Sequence, residues 1–291
     1  MGSVLAQYFI PLATSGFFSS CYCAGTEARM ALISSLPVDT HVHFYPGFSI
    51  DCCLTSAASH MAAVPGSDKR GVLCLVENAG LNVFDTLTGR YGRWTVSETP
   101  EAVVRQALRA DGTRLLLVAG RQTVTSEALE VLLIGFRGMI PNGLPLAEVI
   151  ERGLEAEALV VLPWGVGKWT GARGARIDWC IEQGVPRTSV FLADNGVRPA
   201  LMPRPTRLAR AEALGWRVLA GTDPLPLPQG DRDPGRFGIV LGGISTGDLT
   251  FRAIAAQLRA CAASPETYGQ LASGRQFLRR QVAMQIRKRR G

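Results

Sequence analysis

The sequence predicts an α/β protein on a TIM-like (β/α) barrel, either regular or with irregular or missing strands. Three observations carry that expectation. Apolar runs recur that are continuous rather than alternating, as in "GVLCLVEN" (71–78), "RLLLVAGRQ" (114–122) and "SVFLADNG" (189–196). Strands of a parallel sheet, buried on both faces, read this way. Segments with helical spacing of apolar residues lie between several runs, and that alternation points to βα units. Most runs end in a polar or glycine-rich cluster, where (β/α) barrels carry their chemistry. A Rossmann-type sheet also binds ligands there, but no G-x-G-x-x-G follows the first strand.

The first strand candidate is "PVDTHVHFYP" (37–46). Strand alternation sends Asp39, His41 and His43 to one face and Val38, Thr40, Val42 and Phe44 to the other. "LTSAASHMAAV" (54–64) reads as a helix, with His60 in a structural place. "GVLCLVEN" is the next strand, and "LTGRYGRW" (87–94) resembles a hairpin turn, so some antiparallel strand is expected. "PEAVVRQALRAD" (100–111) has helical spacing. The strand at 114–122 ends in Arg121-Gln122, and "ALEVLLIG" (128–135) is another strand. Helix "LPLAEVIERGLEAEA" (144–158) leads to strand "ALVVLPWG" (158–165) and a glycine-rich tail through Lys168. Helix 174–184, the strand ending in Asp194-Asn195, helix 206–216 and the strand "WRVLAGTD" (216–223) follow. "PLPLPQGDRDPGRFG" (224–238) is a loop over the barrel mouth. From Pro265 a helix is expected, with Leu271, Phe277, Leu278, Val282 and Ile286 as an apolar stripe and a basic fringe.

The implied organisation is an extension over residues 1–33, poorly ordered, one barrel domain over 34–264, and a basic helix over 265–291. A hydrophobic fraction of 47% supports one large core, and a charged fraction of 19% argues against long disorder. The net charge is +7, but much of the excess sits in "RRQVAMQIRKRRG". Basic residues elsewhere are scattered among acids, so no nucleic-acid partner is expected. Seven cysteines stand at irregular places without a C-x-x-C pair. Neither a zinc ribbon nor a disulfide framework is indicated; Cys74 and Cys180 read as buried thiols, and a reducing cytoplasm fits. The apolar start lacks Lys or Arg before Arg29, against a secretory signal, and Pro11 argues against a membrane span. Met30 is an alternative start.

Chemistry concentrates in a few residues. This chain has three histidines, and two stand two apart in a Val/Phe/Tyr run. His41 and His43 suit a divalent metal ion, which brings bound water to a pKa of about 7. The plainer reading is a hydrogen-bonded pair inside a sheet. Asp223, in "LAGTDPLP", is a ligand or general base, or else a turn residue before Pro224. Glu130 is a metal ligand, or a strand carboxylate paired with arginine. Lys168 and Trp164, in "PWGVGKWTGARG", cover a ligand or pack a loop. Asp194, Asn195 and Arg198 in "ADNGVRP", and Arg121 before them, are candidates for holding an anionic substrate.

These residues resemble a family. "VDTHVHFY" looks like the first strand of the amidohydrolase and PHP-type metal-dependent hydrolases, which ends in a His-x-His ligand pair. "LAGTDPLP" is similar to the amidohydrolases' last-strand segment, which brings an aspartate to the metal. "EALEVLLIG" is similar to the PHP-type strand whose glutamate binds metal. The resemblance implies His41 and His43 as ligands, Glu130 as a bridging ligand and Asp223 as ligand or base. It implies hydrolysis of a small substrate with Mn, Mg or Zn. The chain departs from the pattern, since its middle strands end without histidines. The site is then carboxylate-rich, drawing on Asp39, Glu130, Asp194 or Asp223 and better suited to Mg or Mn. Otherwise the barrel is degenerate and serves as a binding or scaffold protein.

Overall fold

The computed structural model describes residues 32–245 and 249–290. Apart from Leu32 and Ile33, the expected N-terminal extension lies outside them. In chain order the first half holds β1 (Leu32–Ile33), β2 (Leu36–Val42), α1 (Ile50–Ala62), β3 (Arg70–Glu77), α2 (Val83–Thr86), β4 (Gly89–Tyr91), β5 (Trp94–Glu98), β6 (Val104–Arg109), β7 (Arg114–Val124) and β8 (Glu130–Ile134). The second holds α3 (Leu146–Glu155), β9 (Leu159–Pro163), α4 (Gly171–Trp179), β10 (Val190–Asn195), α5 (Thr206–Ala213), β11 (Val218–Gly221), β12 (Phe237–Leu241), β13 (Ile244–Ser245), α6 (Phe251–Ala260), β14 (Thr267–Gly269) and α7 (Gly274–Arg290).

Nine strands run side by side in the order β11-β10-β9-β8-β7-β3-β2-β12-β14. The sheet curls into a nearly closed barrel, because β11 returns to β2. Thr40 Oγ1 donates to the Ala220 carbonyl at 2.8 Å, and the amide of Asp223 donates to the His41 carbonyl at 2.7 Å. The α/β barrel expectation holds at that level, but the strands are not all parallel. β8 runs antiparallel to both neighbours. Only residues 125–129 separate it from β7, too few for a crossover and enough for a hairpin. The segment 100–111, expected to be a helix, contains strand β6. It completes an antiparallel ribbon with β4 and β5 along one half of β7. Val104 and Ala107 are buried in that ribbon, so partner strands override a helical pattern. The expected helix from Pro265 begins only at Gly274, since residues 267–269 pair with β12.

Alternation sorts the side chains into layers. Val72, Cys74 and Val76 of β3, Leu116 and Val118 of β7, Leu132 and Ile134 of β8, and Phe191 and Ala193 of β10 fill the interior. Phe251, Ile254, Ala255 and Leu258 of α6 join this cluster and plug one end. Arg217, at the start of β11, donates to the carbonyls of Leu258 and Arg259 at the last turn of α6. Outward residues pack under α3, α4 and α5 on one side, and under α1 and the ribbon on the other.

One irregularity determines what enters the open end. Asp39 is opposite Leu73 but Val42 is opposite Leu75, so β2 carries one extra residue. Such a bulge reverses the faces of everything after it. Leu36 and Val38 point into the interior, while Val42 and Phe44 join the outer cluster. His41 and His43 are thereby turned inward, and Asp39 does not share their face, contrary to simple alternation. Asp39 is instead a clamp. Its Oδ1 accepts from His41 N at 3.2 Å and Thr222 N at 2.8 Å, and its Oδ2 from Thr222 Oγ1 at 2.6 Å and Gly235 N at 2.9 Å. Burial pushes the carboxyl up to about 6, against the pull of these donors. Asp39→Ala leaves the amides of His41, Thr222 and Gly235 without their acceptor and the Thr222 hydroxyl with only the longer bond to the Phe237 carbonyl, and should destabilise by about 3 kcal/mol or more. Urea denaturation measures this, and an unchanged midpoint would refute the clamp.

Candidate metal centre

At the open end, the histidines of β2 meet the residue that follows β11. His41 Nε2 and His43 Nε2 stand 3.0 Å apart. Asp223 Oδ1 lies 3.5 Å from the first and 3.4 Å from the second. All three side chains are buried. Asp223 adopts φ +52°, in the left-handed region where aspartate is among the tolerated residues. Gly221 permits the close approach of the strands: a Cβ there would meet the His41 amide nitrogen and Cβ at 2.4 Å. Asn195 Nδ2 donates to Asp223 Oδ2 at 2.5 Å, and its own Oδ1 accepts from Val197 N at 2.8 Å. Asp223 Oδ1 is left facing the imidazoles.

The donors fit a divalent cation. Ligand arms of about 2.1 Å give edges of about 3.4 Å in a tetrahedron and about 3.0 Å in an octahedron, the range found here. Both Nδ1 atoms are buried without a hydrogen-bond partner. Three lone pairs aimed at one point cannot all be satisfied by one another's protons, and a cation satisfies all three. Burial pushes His41 down to about 4, so its imidazole is neutral near pH 7, as a ligand must be. Burial pushes the Asp223 carboxyl up, but His41, His43 and Lys168 outweigh it and hold the acid below the usual carboxylate range.

Strand alternation decides which other candidates come near. Gln122, Glu130 and Asn195 share the parity of the interior residues on β7, β8 and β10. Because β8 is antiparallel, its first residue, Glu130, sits opposite Val124, the last residue of β7. Lys168 Nζ donates to Glu130 Oε2 at 2.5 Å. Burial lowers the Lys168 pKa, while Glu130 and Asp223 together raise it above the ordinary value. Gln122 lies beside His41, and its Oε1 is buried without a hydrogen-bond partner. Tyr45 places its ring 5.3 Å from that of His43.

Other candidates are engaged with partners of their own away from the triad. Arg121 shares the parity of Leu115, Leu117 and Ala119 in the outer cluster. Its Nη1 donates to Glu77 Oε2 at 2.9 Å and to the Leu81 carbonyl at 2.5 Å. Arg198 Nε and Nη2 donate to the two oxygens of Asp194 at 3.0 and 2.7 Å, so each is committed to the other. Trp164 packs on the core beneath α3–α5. His60 Nδ1 lies 3.0 Å from the Pro234 carbonyl, a structural place as expected. Sequence reading singled out Arg121, but its neighbour Gln122 points inward. Counting alternation from Leu116 and Val118 would have found it.

No protein-family model matches the chain, and a search of the curated proteins finds no match. Among solved structures, PsfC from Pseudomonas syringae is similar with a TM-score of 0.51 at 17% identity, covering 87% of this chain and 99% of PsfC. At that identity the likeness is one of fold. The lesion-specific endonuclease PfuEndoQ from Pyrococcus furiosus overlaps with a TM-score of 0.44 at 12% identity, covering 78% of this chain and 56% of its own. Endonuclease Q in complex with a 27-mer duplex substrate bearing an abasic lesion overlaps at 0.41 and 11% identity, covering 78% and 57%. This chain thus spans just over half the length of those endonucleases. The expectation of no nucleic-acid partner is corrected to an open question beside that complex, in which endonuclease Q holds a 27-mer duplex. Among the described residues, no helix is long and apolar enough to cross a membrane.

Gly221→Ala should push β11 away from His41, destabilising by about 1–3 kcal/mol and weakening divalent-metal binding at least tenfold. Thermal melting and isothermal titration with metal check both; a variant equal to wild type in each would refute the close-approach role of Gly221.

Proposed function

We propose that the chain is a metal-dependent hydrolase of the amidohydrolase/PHP type. The carrying observation is the convergence of His41 Nε2, His43 Nε2 and Asp223 Oδ1 within 3.5 Å in a buried mouth. Two imidazoles and one carboxylate suit Zn or Mn better than Mg, which takes oxygen ligands. When bound, the ion acts as a Lewis acid and brings water toward hydroxide at neutral pH. Asn195 holds Asp223 in one rotamer by accepting from Val197 and donating to Oδ2. Glu130, ion-paired with Lys168, is our candidate to take a proton from the nucleophile. The Lys168 ammonium, at the rim and paired with Glu130, is our candidate to hold an anionic substrate group, while Arg121 and Arg198 pair with Glu77 and Asp194.

A second reading is a catalytically degenerate barrel that binds without metal. The Lys168–Glu130 pair and the Asn195–Asp223 bond favour it, because they satisfy both carboxylates within the protein. The two readings separate in one experiment. Metal-stripped protein is titrated with Zn or Mn while its melting temperature is followed. A real site stabilises by about 2.7 kcal/mol at a hundredfold excess over Kd. His41→Ala with His43→Ala should abolish both the shift and the bound metal measured by elemental analysis. Equal metal content in wild type and variant would defeat the ligand assignment and leave the metal-free reading.

A further inference from the structure

Helix α7 presents to solvent a face that the barrel does not use. Leu278, Val282 and Ile286 are 65%, 60% and 46% exposed, and their spacing of four aligns them in one stripe. Leu201, 88% exposed, continues it, with its Cδ1 3.5 Å from where a Cβ on Gly274 would stand. At about 100° per residue, Arg275, Arg279 and Arg289 fall on that same face, and all three are exposed. Between residues 274 and 290 the sequence carries basic residues and no acid. The opposite face is fastened down. Arg280 Nη2 donates to both oxygens of Asp233 at 2.7 Å, and Arg287 Nη1 to the Pro226 carbonyl at 2.7 Å. The helix cannot roll to bury its stripe without breaking these bonds.

We propose that this face of α7 docks flat on an anionic lipid bilayer. Aliphatic side chains interleaved with arginines match the boundary between acyl chains and phosphate headgroups, where the apolar part is buried and the guanidinium groups meet phosphate. A second copy of the chain is disfavoured, since pairing would set arginine against arginine with no acid on the helix to compensate. A nucleic acid would engage the arginines but gain nothing from the stripe, since its outer surface is phosphate and sugar.

The test is co-sedimentation of the full chain with vesicles of phosphatidylcholine alone and of phosphatidylcholine with phosphatidylserine. Binding is expected only to the second, falling with added salt. Arg275→Gln and Arg279→Gln should each weaken it about fivefold. Leu278→Ser with Val282→Ser and Ile286→Ser should weaken it more than tenfold at an unchanged melting temperature. If that triple variant melts early, Val282→Gln alone is read instead, with a loss of at least threefold expected. Equal binding to neutral vesicles, wild-type binding by the stripe variants, or duplex DNA that displaces the vesicles and binds the stripe variants undiminished would each overturn the proposal.

Discussion

Asp39 and the extra residue beside it in β2 are what the rest of the open end depends on. A carboxylate with no access to water is costly to bury, and here four donors offset that cost. Two of those donors come from Thr222, the residue before Asp223, and one from Gly235 at the far end of the following loop. One side chain therefore fastens β2 to the end of β11 and to the loop between β11 and β12. The bulge does the complementary task, since a single inserted residue turns His41 and His43 from the outer face to the inner one. Clamp and bulge together bring an imidazole pair and a late aspartate to one point.

The two ends of the barrel solve opposite problems. At the α6 end the interior is apolar, closed by Phe251, Ile254 and Leu258. The charge admitted there is Arg217, whose guanidinium is met by helix-terminal carbonyls and by the Phe191 ring at 4.6 Å. The open end gathers polar groups instead: His41, His43, Gln122, Glu130, Asn195 and Asp223. Several keep unsatisfied atoms, namely both histidine Nδ1 and Gln122 Oε1. Unpaired buried polar atoms are unfavourable for stability alone, and three of them beside a carboxylate at one rim are what a ligand site looks like.

The loop after Asp223 also links the site to α7. Pro226 and Asp233 receive hydrogen bonds from Arg287 and Arg280, while Gly235 closes on Asp39. The basic helix thus braces the segment that carries Asp223.

What the sequence by itself determined was the class of fold and the identity of the ends that matter. Continuous apolar runs bounded by turn signals read as strands covered on both faces, and "VDTHVHFY" and "LAGTDPLP" marked His41, His43 and Asp223 as candidates beside their plainer readings as a hydrogen-bonded pair and a turn residue. It did not show which face each residue takes. A bulge has no compositional signature, so Asp39 read as a third member of the histidine face. Arg121 and Asp194 looked as accessible as Gln122 and Asn195, because neighbouring residues in a strand differ only in direction. Short-range pattern also mistook β6 for a helix and left the direction of β8 open. Tertiary structure decided these points, because strand register, direction and closure are set by partners far away in the chain, whose hydrogen bonds and packing no local window contains.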